Sequence, residues 1–139
     1  MADCRRYVYL TALWRISIFS DLEGLSGERE SARWHTAAPE KRIAYLSEHP
    51  AVALVEVLVN MHGKPGFEDL TVNWRENFEE SGFIGDSWLA SGSSALLGVP
   101  SAPSPECTNY LLNPLHPDSR GMTIEWCKWI QYDKRLFRV

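Results

Sequence analysis

Cysteine is scarce: Cys4, Cys107 and Cys127 are the only three in 139 residues. Their odd number and the lack of a CxxC spacing argue against both a disulfide framework and a zinc knuckle. A reducing cytoplasm is the expected home, with each cysteine a small, half-buried residue. Positive charge is also short. Fourteen Lys and Arg against 18 Asp and Glu give a net charge of -4, so there is no chain-wide basic field, and no direct nucleic-acid partner is expected. Long apolar runs are missing. In the opening MADCRRYVYLTALWRISIFS, Arg15 breaks the apolar stretch and no small-residue cleavage site follows, so no signal peptide is expected. Nothing else approaches the roughly 20 apolar residues that span a bilayer, so no membrane association is expected. The four histidines, His35, His49, His62 and His116, show no HxxxH or HExxH spacing, and no metal site is expected. Neither a P-loop nor GxGxxG is present. Any phosphate would therefore be held by side chains such as Arg15 and Arg33.

What is present suits an ordinary soluble protein: 45% apolar and 23% charged residues. The length fits one domain, residues 1–139, around one core. Tyr7 to Phe19, YVYLTALWRISIF, is rich in β-branched and aromatic residues and reads as an early strand. The following segment is punctuated by Gly24, Gly27 and Pro39 and reads as loop with at most one helical turn. RIAYLS returns to strand composition. EHPAVALVEVLVNMHGKPG alternates like a strand from Val52 to Leu58, but Pro50 before it and Gly63 and Pro65 after it are helix punctuation. Its length decides for a helix from Pro50 to His62. DLTVNWREN reads as a strand, and FEESGFIGDSWLASG as a polar loop followed by a short helix around Asp86 to Ala90. ALLGVPSA and NYLLNP are two apolar runs joined by a Pro/Ser-rich turn. Thr123 to Trp129 reads as a closing strand. The expected class is α+β, a small mixed β-sheet core with flanking helices.

Glu56 is hard to explain as scaffold. In AVALVEVLV it is flanked on both sides by apolar residues. It either occupies the solvent-facing stripe of an amphipathic element or is a carboxylate in apolar surroundings that needs hydrogen bonds or a partner. Arg33 in SARWH is an exposed loop charge or the planar fork that grips an anion. Ser101 in VPSAP lacks the GxSxG elbow of a hydrolase nucleophile and is a turn serine by default. His116 and Asp118 in LHPD could complete a Ser/His/Asp set only by chance, and His116 is left structural. The tryptophans Trp34, Trp74, Trp88, Trp126 and Trp129 are expected to pack.

Taken in order, WRIS, ARWH, AYLSEHPAVALVEVLV, LLGVPSA and NYLLNPLHPD resemble the RES-domain family, toxins of bacterial toxin–antitoxin pairs. The resemblance runs from about Leu13 to Phe137. The arginine, glutamate and serine that give the family its name match Arg33, Glu56 and Ser101. It implies an ADP-ribosyltransferase-like fold, NAD as substrate with no prosthetic group, and an Xre-like antitoxin as partner. A homodimer is compatible with it. It also implies an NAD pocket lined by Arg33, Tyr45, Glu56 and Ser101, with Arg15 and Asn113 as further members. The family pattern has glycine before its arginine and often asparagine after the tryptophan, where this chain has Ala32 and His35. The loop backbone is then less free to approach a ligand.

The implied chemistry fits the residue types. Cleaving the nicotinamide–ribose bond develops oxocarbenium character on the sugar, as in glycoside hydrolysis. Nicotinamide leaves as a neutral molecule, so one carboxylate, Glu56, suffices to stabilise the charge. The readings that follow are NAD hydrolysis or phosphorolysis that arrests growth, transfer of ADP-ribose to a bacterial protein, and an inactive module that binds the antitoxin.

Overall fold

The computed structural model describes residues 12–61 and 77–137. The expected strand DLTVNWREN falls outside the described residues except for Asn77, as do Trp74, Cys4 and the start of the expected early strand. A three-stranded sheet in the order β1-β3-β2 organises the rest, with β1 at Ala44–Ser47, β2 at Leu96–Pro100 and β3 at Thr108–Leu112. Both pairings are antiparallel. The sheet is therefore antiparallel among the described residues, not mixed as the sequence suggested, while the α+β class holds. β2 and β3 are joined by the Pro/Ser-rich turn, and Ser101 closes it by donating its N–H to the Cys107 carbonyl at 2.9 Å. Antiparallel pairing needs only such a short connection.

Cross-strand partners share a face, so the register sorts the side chains. Tyr45, Leu111 and Leu97 point one way, together with Ser47, Asn109 and Val99. Ala44, Leu46, Leu96, Leu112 and Tyr110 point the other. The first face forms the main core with Trp34, Ile43 and Trp88. The second packs against Leu13, Leu22 and Met122.

Helices flank the first face. α1, Ser26–Arg29, is the single turn expected in the loop. α2, Pro50–Met61, starts at the predicted proline, and the His49 side chain accepts the Ala51 N–H at 3.1 Å. α3, Phe78–Ser91, is longer than the short helix expected from the sequence. Asn77 caps it by accepting the Glu80 N–H at 3.1 Å, Glu79 and Glu80 sit in its first turn, and Gly92 ends it in the left-handed region at φ 58°. Gly82 and Gly85 lie inside this helix. At Gly85 a Cβ would lie 1.7 Å from the Trp34 carbonyl oxygen, so glycine is what lets α3 press against the Arg33–Trp34 backbone.

Two expected strands do not form among the described residues. Between Ala12 and Phe19 the only pairing is an isolated bridge, Trp14 with Ser47, closed by two 2.8 Å backbone hydrogen bonds. Residues 123–133 have no regular secondary structure; Trp129 is exposed (101%) where packing was expected, whereas Trp126, exposed at 53%, still packs edge-on against the Trp14 ring, with centroids 5.3 Å apart. Aromatic and β-branched composition marks a surface suited to a sheet, but a strand also needs a partner edge. Cys127 is exposed as well, whereas Cys107 is half-buried as expected. No helix among the described residues is long and apolar enough to cross a membrane.

Candidate functional site

α2 turns an unexpected side to solvent. Its exposed stripe is Ala51, Val55 and Val59, whereas Glu56 lies one turn beyond the buried Val52. The solvent-stripe reading of Glu56 is thereby overturned. A carboxylate on this side needs partners, and it has them. Ser101 Oγ donates to Glu56 Oε1 at 2.7 Å, and Asn109 Nδ2 donates to the same oxygen at 2.6 Å. Asn109 Oδ1 in turn accepts from Ser47 Oγ at 2.8 Å. Ser101 is fully buried, Ser47 and Asn109 nearly so. Four polar side chains from α2, β1, β3 and the end of β2 thus form one continuous chain, ending at a carboxylate whose other oxygen, Oε2, receives no hydrogen bond among the described residues.

Ser101 is held from two sides, since its Oγ also accepts the Ser104 N–H at 3.3 Å. It is the turn cap expected by default and also a ligand of Glu56. His116 does not complete a triad: it accepts the Asp118 N–H at 3.1 Å and caps the 3-10 turn Pro117–Gly121.

Tyr45 connects this sheet face to the arginine loop. Its hydroxyl accepts the Trp34 N–H at 3.3 Å and lies 2.8 Å from His35 Nδ1. His35 Nε2 is 3.2 Å from the Gly27 carbonyl, which only accepts, so Nε2 carries the proton and Nδ1 receives the Tyr45 proton. Burial pushes the His35 imidazole below its ordinary value, against the opposing pull of the Gly27 carbonyl and Asp86, which keeps this tautomer neutral. Burial pushes the Tyr45 phenol well above its ordinary value, and the Trp34 N–H and the nearby Arg33 charge only partly offset this. His35 is therefore a buried brace. α3 clamps the same loop from outside: Ser81 Oγ donates to the Arg33 carbonyl at 2.8 Å, and the Asp86 carboxylate accepts the Thr36 N–H at 3.1 Å and the Lys41 ammonium at 2.9 Å. Partial burial raises the Asp86 carboxyl, and the Lys41 and Thr36 hydrogen bonds outweigh it, leaving the group below its ordinary value.

Arg33 itself lies with its guanidinium carbon 4.5 Å from the centre of the exposed Phe78 ring, a cation–π arrangement at the start of α3. Arg15 donates to the Asp21 carbonyl at 2.9 Å. Asn113 is buried and accepts the Leu115 N–H at 3.1 Å, the behaviour of a turn residue before proline. Of the six candidates, Glu56 and Ser101 are in direct contact, Tyr45 shares their sheet face and holds the Arg33 loop, and Arg15 and Asn113 are engaged in their own loops. A cleft of about 270 Å³ between residues 39–42 and α3 includes none of the six. Among the described residues no three His, Cys, Asp or Glu side chains gather to hold a metal ion.

Two members of the polar chain, Ser47 and Asn109, were missed in the sequence. The only available signal was a polar residue at an inward position of a short apolar strand, and it is visible only once the register is known.

Known proteins are similar to this sequence. The RES-domain family model matches residues 12–78. The chain is 34% identical to Toxin Res of Pseudomonas putida, over 90% of this chain and 99% of that protein. The chain belongs to the RES-domain family. A second relative, the Prs ADP-ribosylating toxin of a Sphingobium species, is 29% identical over 92% of this chain and 98% of its own. Arg33 and Glu56 fall inside the matched region of the RES model, whereas Ser101 and Asn109 lie beyond it.

Proposed function

We propose that this RES-domain toxin cleaves NAD at the nicotinamide–ribose bond, depleting the dinucleotide and arresting growth. The observation that carries the reading is Glu56: a carboxylate on the inward side of α2, fixed through one oxygen by Ser101 and Asn109, in a chain that matches a RES toxin along nearly its whole length. In this reading the C1′–N bond breaks, nicotinamide leaves with the electron pair, and water or phosphate forms the new bond to C1′. Positive charge develops on the ribose, where a preorganised carboxylate stabilises it. Glu56 binds the ribose hydroxyls through Oε2. Arg33 leaves the Phe78 ring to hold the pyrophosphate, for which its planar fork is suited. Tyr45 offers its ring face to the nicotinamide, its hydroxyl being taken by Trp34 and His35. Ser101 orients Glu56 and attacks nothing. Arg15 and Asn113 support the pocket rim. An ADP-ribosyltransferase-like fold of one domain, a cytoplasmic location and a cognate Xre-like antitoxin that covers the site belong to the same reading.

A second reading is favoured by one relative's being an ADP-ribosylating toxin: the ADP-ribose goes to a protein side chain. Both share bond cleavage and differ in the nucleophile that reaches C1′. Incubation with NAD and bacterial lysate, followed by mass spectrometry, separates them. Free ADP-ribose or its phosphorolysis product is the expected result; a mass adduct on one lysate protein would establish transfer instead. NAD left intact both by the purified protein alone and after lysate is added would overturn the enzymatic reading.

A further inference from the structure

We propose that Asn109, held in place by Ser47, is a positioning residue that fixes which oxygen of Glu56 faces the sugar; this rests on the reading of Glu56 as the charge-stabilising carboxylate. The geometry is directional. An amide can present either its oxygen or its nitrogen, and only the nitrogen is compatible with an ionised carboxylate. Ser47 Oγ donates to Asn109 Oδ1 at 2.8 Å, so that oxygen is committed to β1, and Nδ2 is turned to Glu56 Oε1 at 2.6 Å.

Ser101 reaches the same oxygen from the end of β2, at 2.7 Å. Two short donors hold Oε1, and Oε2 receives none among the described residues. The cross-strand pairing of Ser47 with Asn109 sets the spacing, so the orientation of the carboxylate is written into the β1–β3 register. Such a residue acts on turnover, because it preorganises a group that matters most when charge develops. It touches no substrate.

The test uses the full chain and measures nicotinamide release from NAD, kcat and KM separately, with melting temperature and a pH profile. Asn109→Ala is expected to lower kcat about 100-fold, the scale for losing one preorganised donor, with KM within about threefold of the parent. Asn109→Asp sets a second carboxylate against Glu56 and moves the acid limb of the kcat/KM profile to higher pH, since two adjacent carboxylates do not both ionise readily. Ser47→Ala lowers kcat as well, and Ser47→Thr, which keeps the hydroxyl, restores it; this pair decides the matter if the Asn109 variants do not fold. Parent-level kcat in Asn109→Ala alongside a dead Glu56→Ala overturns the positioning role and leaves the proposed function standing. A loss in all variants that follows melting temperature, with no shift in the pH profile and no rescue by threonine, overturns it in favour of scaffold. Parent-level release by Glu56→Ala defeats both.

Discussion

Tyr45 shows how one hydroxyl ties a loop to a sheet. It receives the Trp34 N–H and gives its proton to His35 Nδ1, on the two residues that follow Arg33, 11 and 10 positions before Tyr45 itself. Tyr45→Phe keeps the ring and removes both bonds, taking from the buried His35 Nδ1 the hydroxyl that donates to it. The expected cost is about 1–3 kcal/mol of stability, seen as a lower denaturation midpoint in urea. Because the loop carries Arg33, KM for NAD should rise more than kcat falls. An unchanged midpoint would show that the hydroxyl bears no such load. Arg33, Glu56 and Ser101 were legible as residues because their types and order match a family. Their contacts were not: that Ser101 donates to Glu56 follows from the β2 end meeting α2, 45 positions away in sequence.

Elements were legible where local signals agreed. α2 had Pro50 at its start and enough length; β1 and the β2–β3 pair had compact apolar runs bounded by turns. α3 was misread because Gly82 and Gly85 count against a helix locally, by about 1 kcal/mol each. The N-cap Asn77 with Glu80 three residues on, and the tight seat against Trp34, outweigh that penalty. Gly85→Ala, favourable in an isolated helix, should here cost about 3 kcal/mol or more and release the Arg33 loop, since α3 must back away from the Trp34 carbonyl. Thermal unfolding and limited proteolysis within residues 31–38 would register both; a variant at least as stable as the parent would contradict the packing. The closing strand failed for the opposite reason. Thr123 to Trp129 has the composition of a strand, but the sheet places β3 in the middle and β1 and β2 at its edges, and the tail pairs with neither.

At the scale of the whole molecule, stability and site share the same polar groups. Folded His35 resists protonation, so below the ordinary histidine value near 6.5 the unfolded chain binds a proton that the folded one does not. Stability should therefore fall as pH drops from about 7 to 5. Asp86, held below its ordinary value, adds a second loss at more acidic pH, as its folded carboxylate takes a proton and releases Lys41 and Thr36. Melting temperature recorded from pH 8 to pH 3 should show both limbs, with the upper one absent in His35→Gln. A flat profile between pH 7 and 5 in the parent would contradict the neutral brace.

The central claim is that Glu56, presented by Ser101 and Asn109, drives cleavage of the nicotinamide–ribose bond. The direct measurement is nicotinamide released from NAD by the parent and by Glu56→Gln, which keeps the size and hydrogen-bonding shape of the side chain while removing its charge. The account predicts release by the parent and a fall of about 1000-fold or more in the variant at a similar melting temperature, the scale of losing a principal electrostatic stabiliser. Equal release by the two proteins would contradict it.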